Sequence, residues 1–583
     1  MTIAEVFANP FSPIGRWLGR RMWWIEHGFE RARASDKAVD DTRLRIFFVL
    51  ALFGAGFITL SLGATKAALF SAYGHDAEPL APSMAPRADL VDRNGQLLAL
   101  DLNRYGLYVD PQEIIHKPDV RAALLAALPT ITPVKLDKAL MGDKREFVIG
   151  ALTPDVKAQV HDLGLPGVSF EEEGGRAYPL GQLAAHLIGF SSKDGIGLAG
   201  AERAFDGPIR ADAGKATFPL AIDLRVQGAL ENELDRAGDT FKAIGGVGLV
   251  VNVRTGEILG MASYPSYDPN LSAKADPKAM VNHAAATVYE PGSVMKVFTL
   301  AMGIDSGVAT TETRFDARTP LVFGSQTIHD FEATDSVLTL SQVFTKSSNI
   351  GAARLGLLAG PDRMDHYFRS FGLFAKAPSE LIESAWPIKP ALLKPATVAS
   401  MSFGHAISVS PLAIATGMSA VLNGGIYRPL TLSKLAPGQA PAPGRRVIQE
   451  STSRTMLDLM RLNVTNGTGA KANIPGLRVG GKTGTATKVI NGRYDKTKNV
   501  SSFAAIFPTD GALGDDRYFV LIMLDQPQPT KETGGFTTGA LTSAPAVGRV
   551  IERIAPFVGV KRVIIPSDLS AKPPDPSALG DEQ

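Results

Sequence analysis

The 583-residue sequence contains no cysteine. Disulfides, thiol nucleophiles, iron–sulfur clusters and thiolate zinc sites are therefore excluded. Histidine is scarce, with nine residues and no metal-ligand spacing among them, so no metal and no cofactor is expected. Net charge is nearly absent too. Sixty Lys+Arg face 58 Asp+Glu, which argues against a nucleic-acid binder working through a broad basic face. Any catalysis must rest on serine, threonine, lysine, a carboxylate or the backbone. At 45% hydrophobic and 20% charged residues the chain is neither a disordered nor a polytopic membrane sequence. Its length suits three or four folded units.

One long apolar run is present. Residues 46–65, IFFVLALFGAGFITLSLGAT, carry no charged side chain. Twenty residues at 1.5 Å each span about 30 Å, the thickness of a bilayer core. A buried core helix would need a polar face, which this run lacks. A cleaved signal peptide has a short leading region, whereas 45 residues precede this run. The expectation is one uncleaved transmembrane helix at 46–65. Arg31, Arg33, Lys37, Arg43 and Arg45 precede it and only Lys66 lies in the 20 residues after it. The positive-inside rule puts residues 1–45 in the cytoplasm and the rest outside.

Beyond the run, residues 66–85 lead into a Pro-rich linker. ADLVDRNGQLLAL has the pattern of a hairpin turning at Asn94-Gly95. Residues 86–235 form a first exterior unit of mixed helix and strand with no chemistry of its own. Residues 236–560 form a second. There GGVGLVVNVRTGEILGMASYP predicts a hairpin, helical patterns dominate about 293–465, and strands return in RVGGKTGTATKVI, SSFAAIFP and RYFVLIMLDQ before a last helix near 541–556. Strands at both ends and helices between imply one α/β (α+β) unit whose sheet closes late in the sequence. Residues 561–583 are Pro- and Asp-rich and are expected to be a disordered tail.

Three segments carry chemistry. Pro291-Gly292 breaks the chain before an apolar helical pattern, so Ser293 stands at a helix start, where free N–H groups favour developing negative charge. Lys296 follows on the same face. It can take the serine proton if burial or another cation lowers its pKa. Such a pair is common by chance, and an N-cap serine beside a solvated lysine is the plain alternative. Ser347-Ser348-Asn349 supplies Ser-x-Asn after a helical turn. Lys482-Thr483-Gly484 supplies Lys-Thr-Gly in a strand-like stretch. Thr483 and Thr485 fall on one strand face and can hold a carboxylate. Gly484 leaves room for a substrate backbone against the strand, and Lys482 adds a cation able to depress Lys296 and orient Ser347.

A competing motif overlaps the third segment. Gly476 to Thr483 satisfies the phosphate-loop pattern, and Phe519–Asp525 looks like an apolar strand ending in a magnesium-binding Asp. A phosphate loop must follow a strand and open a helix. GAKANIP before it is no strand, and GTATKVI after it is no helix, so a nucleotide-binding reading is disfavoured.

With Ser-x-x-Lys at 293, Ser-x-Asn at 347 and Lys-Thr-Gly at 482, the chain resembles class B penicillin-binding proteins, peptidoglycan D,D-transpeptidases, over residues 42–560. It is most similar to the cell-division (FtsI) branch, a leaning supported by Glu290-Pro291-Gly292. Further resemblance lies in RAYPLGQLAAHLIGF, RTGEILGMASYPSYDPN and SFGHAISVSPLAIATGMSAVLNGG. Two departures stand out: the stretch from Arg87 to Gly95 varies from the family pattern, and Ala406 stands where the family usually has glycine.

The resemblance implies a membrane-anchored protein with a pedestal or dimerisation-type domain at 86–235. It also implies a transpeptidase domain at 236–560, built on a central, mainly antiparallel sheet flanked by helices. Ser293 would attack the penultimate D-Ala carbonyl of a stem peptide and Lys296 would act as general base. Ser347, linked to Lys482, would pass a proton to the leaving D-Ala, and Asn349 would bond the substrate or the lysine. Thr483, Gly484 and Thr485 would bind the terminal carboxylate. The N–H groups of Ser293 and Thr485 would form an oxyanion hole, about 3–4 kcal/mol per donor in such sites. The implied partners are peptidoglycan stem peptides, β-lactams, a polytopic glycan polymerase and other divisome proteins, at the cell inner membrane with the catalytic part in the periplasm. An elongation-type transpeptidase and a non-catalytic β-lactam sensor remain the alternatives. A β-lactamase or soluble carboxypeptidase would share the motifs but not the anchor with the 86–235 unit.

Overall fold

The computed structural model describes residues 49, 52–61, 86–214, 217–331, 336–490 and 492–564. The chain divides into two units, Met1–Leu80 and Ala81–Gln583. In the first, residues 52–61 are helical. Among the described residues no helix is long and apolar enough to cross a membrane. The remainder of the expected 46–65 span, the 1–45 tail, the 66–85 linker and the segment beyond 564 lie outside the described residues.

The second unit begins with the expected hairpin. Strands β1 (Leu90–Val91) and β2 (Leu97–Val109) pair antiparallel, and Gly95 takes a left-handed φ of +84° in the turn, which costs glycine little. Strand β2 also pairs with β3 (Glu146–Leu152) and β4 (Val168–Ala177), and β1 pairs parallel with β5 (Phe218–Pro219). Helices α1 (Lys117–Ala127), α2 (Pro133–Met141) and α3 (Pro154–His161) close a small core around Leu107, Leu124, Leu136, Leu140 and Val148.

A five-stranded antiparallel sheet carries the rest. Strands β6 (Gly245–Asn252) and β7 (Ile258–Tyr264) form the second expected hairpin. Between them and the late strands lie two short pairs, β8 (Arg314–Asp316) with β11 (Val337–Thr339) and β9 (Leu321–Phe323) with β10 (Gln326–Ile328). A further small pair joins β12 (Ile426–Tyr427) to β13 (Arg445–Arg446). These interrupt what the sequence pattern presents as mainly helical. The late strands β14 (Gly480–Ile490), β15 (Arg493–Phe507) and β16 (Tyr518–Asp525) complete the order β14-β15-β16-β6-β7. The sheet thus closes when β16 pairs with β6.

Period-two alternation sends the two faces of this sheet into different cores. Leu249, Phe519, Leu521 and Ala504 join a large cluster with the middle helices. Val250, Val520, Ile522 and Phe503 pack with Leu230, Leu234, Val547 and Ile551. These last four come from α4 (Leu224–Thr240) and the C-terminal Ser543–Ile554 helix. A sheet covered on both faces needs no polar alternation, which is why Phe519–Leu524 is an unbroken apolar run. Helix α4 packs on β6 and β7, so it straddles the expected 235/236 boundary and sits in the layer of the second sheet. Ala88, Leu90 and Leu98, from the first exterior segment, share the large core with Leu249 and Phe519.

Candidate active site

Helix α5 (Lys296–Asp305) is entered through a 3-10 turn at Gly292–Met295. The turn is pressed against the edge strand. A Cβ on Gly292 would meet the Thr485 carbonyl oxygen at 2.7 Å, and Gly292 has φ +54°. Only glycine suits that approach and that backbone. The consequence is that Ser293 is set beside Thr485 on β14.

Helix α6 (Leu340–Thr345) opens with a capping box between Thr339 and Gln342. It runs almost directly into α7 (Asn349–Ala359), whose N-cap is Ser348. Ser347 makes the reversal between them with φ +59°, a left-handed conformation uncommon for serine. The turn aims both Ser347 oxygens at Lys296. Strand β14 lies at the open end of the sheet and delivers Lys482 from its helical face.

The chemistry-bearing side chains converge. Lys296 Nζ lies 3.0 Å from Ser293 Oγ, 3.1 Å from Ser347 Oγ and 2.8 Å from Asn349 Oδ1, and it also bonds the Ser347 carbonyl. Lys482 Nζ donates to Ser347 Oγ at 2.9 Å and to the Thr483 carbonyl at 3.2 Å. Its ammonium also sits 5.8 Å from the centroid of the Phe344 ring, within cation–π range. Both lysines are fully buried, while Ser293 is half-buried. Burial, helped by the Lys482 charge and opposed by Asp330, holds Lys296 well below the usual lysine range. Burial pushes Lys482 down to about 7. Two buried lysines so close cannot both stay charged at low cost, so a neutral amine is available beside Ser293.

Thr483 and Thr485 share a strand face, as expected. Thr483 Oγ1 lies 2.7 Å from Thr468 Oγ1, and Thr485 Oγ1 accepts from Gly539 N–H at 3.1 Å. Gly484 has a different reason to be glycine from the substrate clearance expected of it. A Cβ there would meet Ser502 Oγ at 2.3 Å, the Pro291 carbonyl oxygen at 2.9 Å and Val294 Cγ2 at 3.0 Å. It is the contact between the edge strand and the nucleophile turn that forbids a side chain. Residues 480–490 are strand, so the overlapping phosphate-loop pattern opens no helix. Asp525, its would-be magnesium ligand, pairs with Lys488 at 2.6 Å.

Two acidic residues at this site have no chemical role assigned from the sequence. Asp330 bonds Ser348 and the start of α7. Glu290 accepts from the Ala406 N–H at 2.9 Å and the Tyr494 hydroxyl at 3.1 Å. Burial pushes its carboxyl up to about 7. Its other oxygen is buried without a hydrogen-bond partner. Only the position of Glu290 before Pro291-Gly292 marks it in the sequence.

Residues 246–545 match the Penicillin binding protein transpeptidase domain, and residues 82–241 match the Penicillin-binding Protein dimerisation domain. The chain belongs to the penicillin-binding proteins. Within them it is of the class B, FtsI type. It is 54% identical to the probable peptidoglycan D,D-transpeptidase FtsI of Caulobacter vibrioides, over 94% of this chain and 95% of that one. It is 31% identical to the peptidoglycan D,D-transpeptidase FtsI of Escherichia coli over 80% and 82%. A probable peptidoglycan D,D-transpeptidase, PenA of Neisseria meningitidis, is also 31% identical, over 78% and 82%. In this penicillin-binding protein the two family matches meet at residues 241–246, just after α4.

Proposed function

We propose that this chain is a peptidoglycan D,D-transpeptidase of septal wall synthesis, acting through an acyl-enzyme on Ser293. The observation that carries the site assignment is the 3.0 Å approach of a fully buried Lys296 Nζ to Ser293 Oγ. Neutral Lys296 takes the Ser293 proton as Oγ attacks the penultimate D-Ala carbonyl. The N–H groups of Ser293 and Thr485 stabilise the oxyanion. The C–N bond breaks as the departing D-Ala nitrogen receives a proton through Ser347 and Lys482. Asn349 fixes Lys296, and Thr483, Gly484 and Thr485 form the strand wall that takes the substrate carboxylate. An amine from a neighbouring stem then attacks the ester, forming the new amide and returning the proton to Ser293 Oγ. β-Lactams acylate the same oxygen. The relatives named FtsI favour the division role over elongation.

The catalytic part is held at the inner membrane by a span at 46–65, with residues 1–45 cytoplasmic and the remainder periplasmic. Support comes from the 52–61 helix, whose Leu52, Phe53, Phe57, Ile58 and Leu60 are all exposed and so call for an apolar surrounding. Residues 86–235 serve as the pedestal and 236–560 as the transpeptidase domain. The partners are stem peptides on nascent glycan, a polytopic glycan polymerase and other divisome proteins.

Labelling with fluorescent penicillin, followed by peptide mapping, tests the assignment. The label is expected on Ser293, and Ser293→Ala should lose both labelling and cross-link formation. Persistent labelling of Ser293→Ala would overturn the site. Labelling without turnover of a donor stem would favour the sensor reading.

A further inference from the structure

Ser347 and Asn349 serve the reaction only while their oxygens stay aimed at the two lysines. The backbone of the turn is tied to α6, with the Ser347 N–H donating to the Phe344 carbonyl at 3.2 Å and the Ser348 N–H to the Val343 carbonyl at 3.0 Å. Ser347 sits in a left-handed turn between α6 and α7, and Asn349 is the first residue of α7. A second restraint, on the side chains and on the start of α7, comes from a separate segment, residues 329–330. Asp330 Oδ2 accepts the Ser348 hydroxyl at 2.7 Å, and Oδ1 accepts the Ile350 N–H at 2.9 Å. Ser348 is thereby fixed as the α7 N-cap, its Oγ accepting from Gly351 N–H at 2.9 Å. The neighbouring His329 carbonyl accepts the Asn349 Nδ2–H at 3.0 Å. That contact settles which way the Asn349 amide faces, leaving Oδ1 for Lys296.

We propose that Asp330 is a positioning residue for acyl transfer, holding the Ser347–Asn349 turn against Lys296 and Lys482 and supplying a negative charge that faces Lys296. The proposal rests on the assignment of Ser293 and Lys296 as nucleophile and base. A one-ångström displacement at such a turn is enough to cost about a hundredfold in rate. One carboxylate oxygen holds Ser348 inside the turn and the other holds Ile350 just after it, so the two grip the chain on both sides of Asn349.

The charge has its own consequence. Among the described residues, the charged and titratable groups facing Lys296 are Lys482 on β14, Asp330 on the 329–330 segment and His405 on the 403–406 turn. His405 is held neutral, pushed down to about 4 by burial and the Lys296 charge. Among the described residues Asp330 is therefore a counter-charge that favours protonated Lys296, against the burial and the Lys482 charge that oppose it. Removing it makes Lys296 easier to deprotonate, so the acid limb of the acylation profile moves to lower pH.

The test uses the full-length chain in detergent and fluorescent penicillin, with second-order acylation rates across pH and melting temperatures for each variant. Asp330→Ala should acylate roughly 10- to 100-fold more slowly at its optimum, with the acid limb at lower pH. Asp330→Asn, which keeps one acceptor but no charge, should lose less rate and show the same limb displacement. Ser348→Ala, which keeps the charge but cuts the tether, should lose rate with the limb unmoved. Asp330→Glu should leave the limb in place. If Asp330→Ala fails to fold, Asp330→Asn and Ser348→Ala carry the test. Wild-type rates and an unmoved limb in Asp330→Asn would overturn the proposal. So would rate losses in Asp330→Asn and Ser348→Ala explained wholly by an unfolded fraction. Ser293→Ala run in parallel separates the two claims. If it still labels, the nucleophile assignment fails. If it is silent while the Asp330 and Ser348 variants behave as wild type, only the positioning role fails.

Discussion

Lys482 Nζ and Ser347 Oγ are 2.9 Å apart, and the same hydroxyl oxygen lies 3.1 Å from Lys296 Nζ. One serine oxygen therefore bridges two buried amines on different elements, β14 and the start of α5. The bridge couples the lysines chemically as well as geometrically. A proton gained by one raises the cost of protonating the other.

Replacing Lys482 by alanine removes a cation that lowers the pKa of Lys296. Lys296 stays buried, so its pKa rises without returning to the usual lysine range. The base then needs a higher pH to lose its proton. Acylation by labelled penicillin should fall by about 10²–10³ at neutral pH, and its acid limb should move to higher pH. Stopped-flow acylation rates from pH 6 to 10 measure both, and an unmoved limb would show that the two lysines are uncoupled.

Glu290 gives a stability signature. Its folded carboxyl is raised to about 7, above the ordinary value of about 4.3. The folded state thus holds a proton that the unfolded state releases between those values, so stability falls as pH rises from about 4 to 7 and stays reduced above. Glu290→Gln keeps an oxygen for the Ala406 N–H and the Tyr494 hydroxyl but cannot ionise. It should be more stable than the parent above pH 7, by about 1–2 kcal/mol once partial exposure is allowed for, and close to it at pH 4. Melting temperatures of the pair at pH 4, 6 and 8 measure the difference. Glu231, likewise raised to about 7 by burial, contributes equally to both proteins and cancels.

Much of this site was legible in the sequence because the groups that do the chemistry lie on elements with strong local signals. Pro291-Gly292 announces the turn into α5, and the β-branched run after Gly484 announces a strand. The order of strands and helices even implied a sheet that closes late in the sequence, as it does when β16 pairs with β6. What was not legible came from contacts across the fold. Asp330 is one acid among 58 acidic residues until α7 is packed against it. The clash partners of Gly484 are Ser502 on another strand and Pro291 nearly 200 residues away. Helix α4 belongs to the second sheet because Leu230 and Leu234 face it, which no break in composition near residue 235 reveals.

Ala406 occupies a backbone position with φ +59°, a left-handed conformation that favours glycine. A left-handed L-residue carries about 1–2 kcal/mol of strain. Glycine relieves it but adds about 0.4–1 kcal/mol of unfolded-state entropy. Ala406→Gly should thus be neutral to about 1.6 kcal/mol more stable. Ala406→Val should cost about 1–3 kcal/mol, because a β-branched side chain is poorly accommodated at that φ. The Ala406 N–H also donates to Glu290 and so restrains the rise of its pKa; a valine variant that loses this bond should show a steeper pH dependence of stability than the parent. Chemical denaturation of the two variants at pH 6 and 8 checks both points.

Gly484→Ala separates two reasons for the glycine in Lys-Thr-Gly. If the residue only gives clearance to a substrate, alanine would weaken substrate capture and leave the folded protein as stable as before. The distances point elsewhere. A Cβ would sit 2.3 Å from Ser502 Oγ, which can rotate away, but also 2.9 Å from the Pro291 carbonyl oxygen, which cannot. The strand and the 291–294 turn must then move apart, and that turn carries Ser293. Overpacking of this kind costs about 1–3 kcal/mol, and the displaced nucleophile should lower acylation by about a hundredfold. Ser502→Ala removes one of the two clashes without touching the other. Adding it to Gly484→Ala should recover part of the stability but little of the acylation rate. Recovery of both by Ser502→Ala would place the whole conflict between β14 and β15 and leave the nucleophile turn out of it.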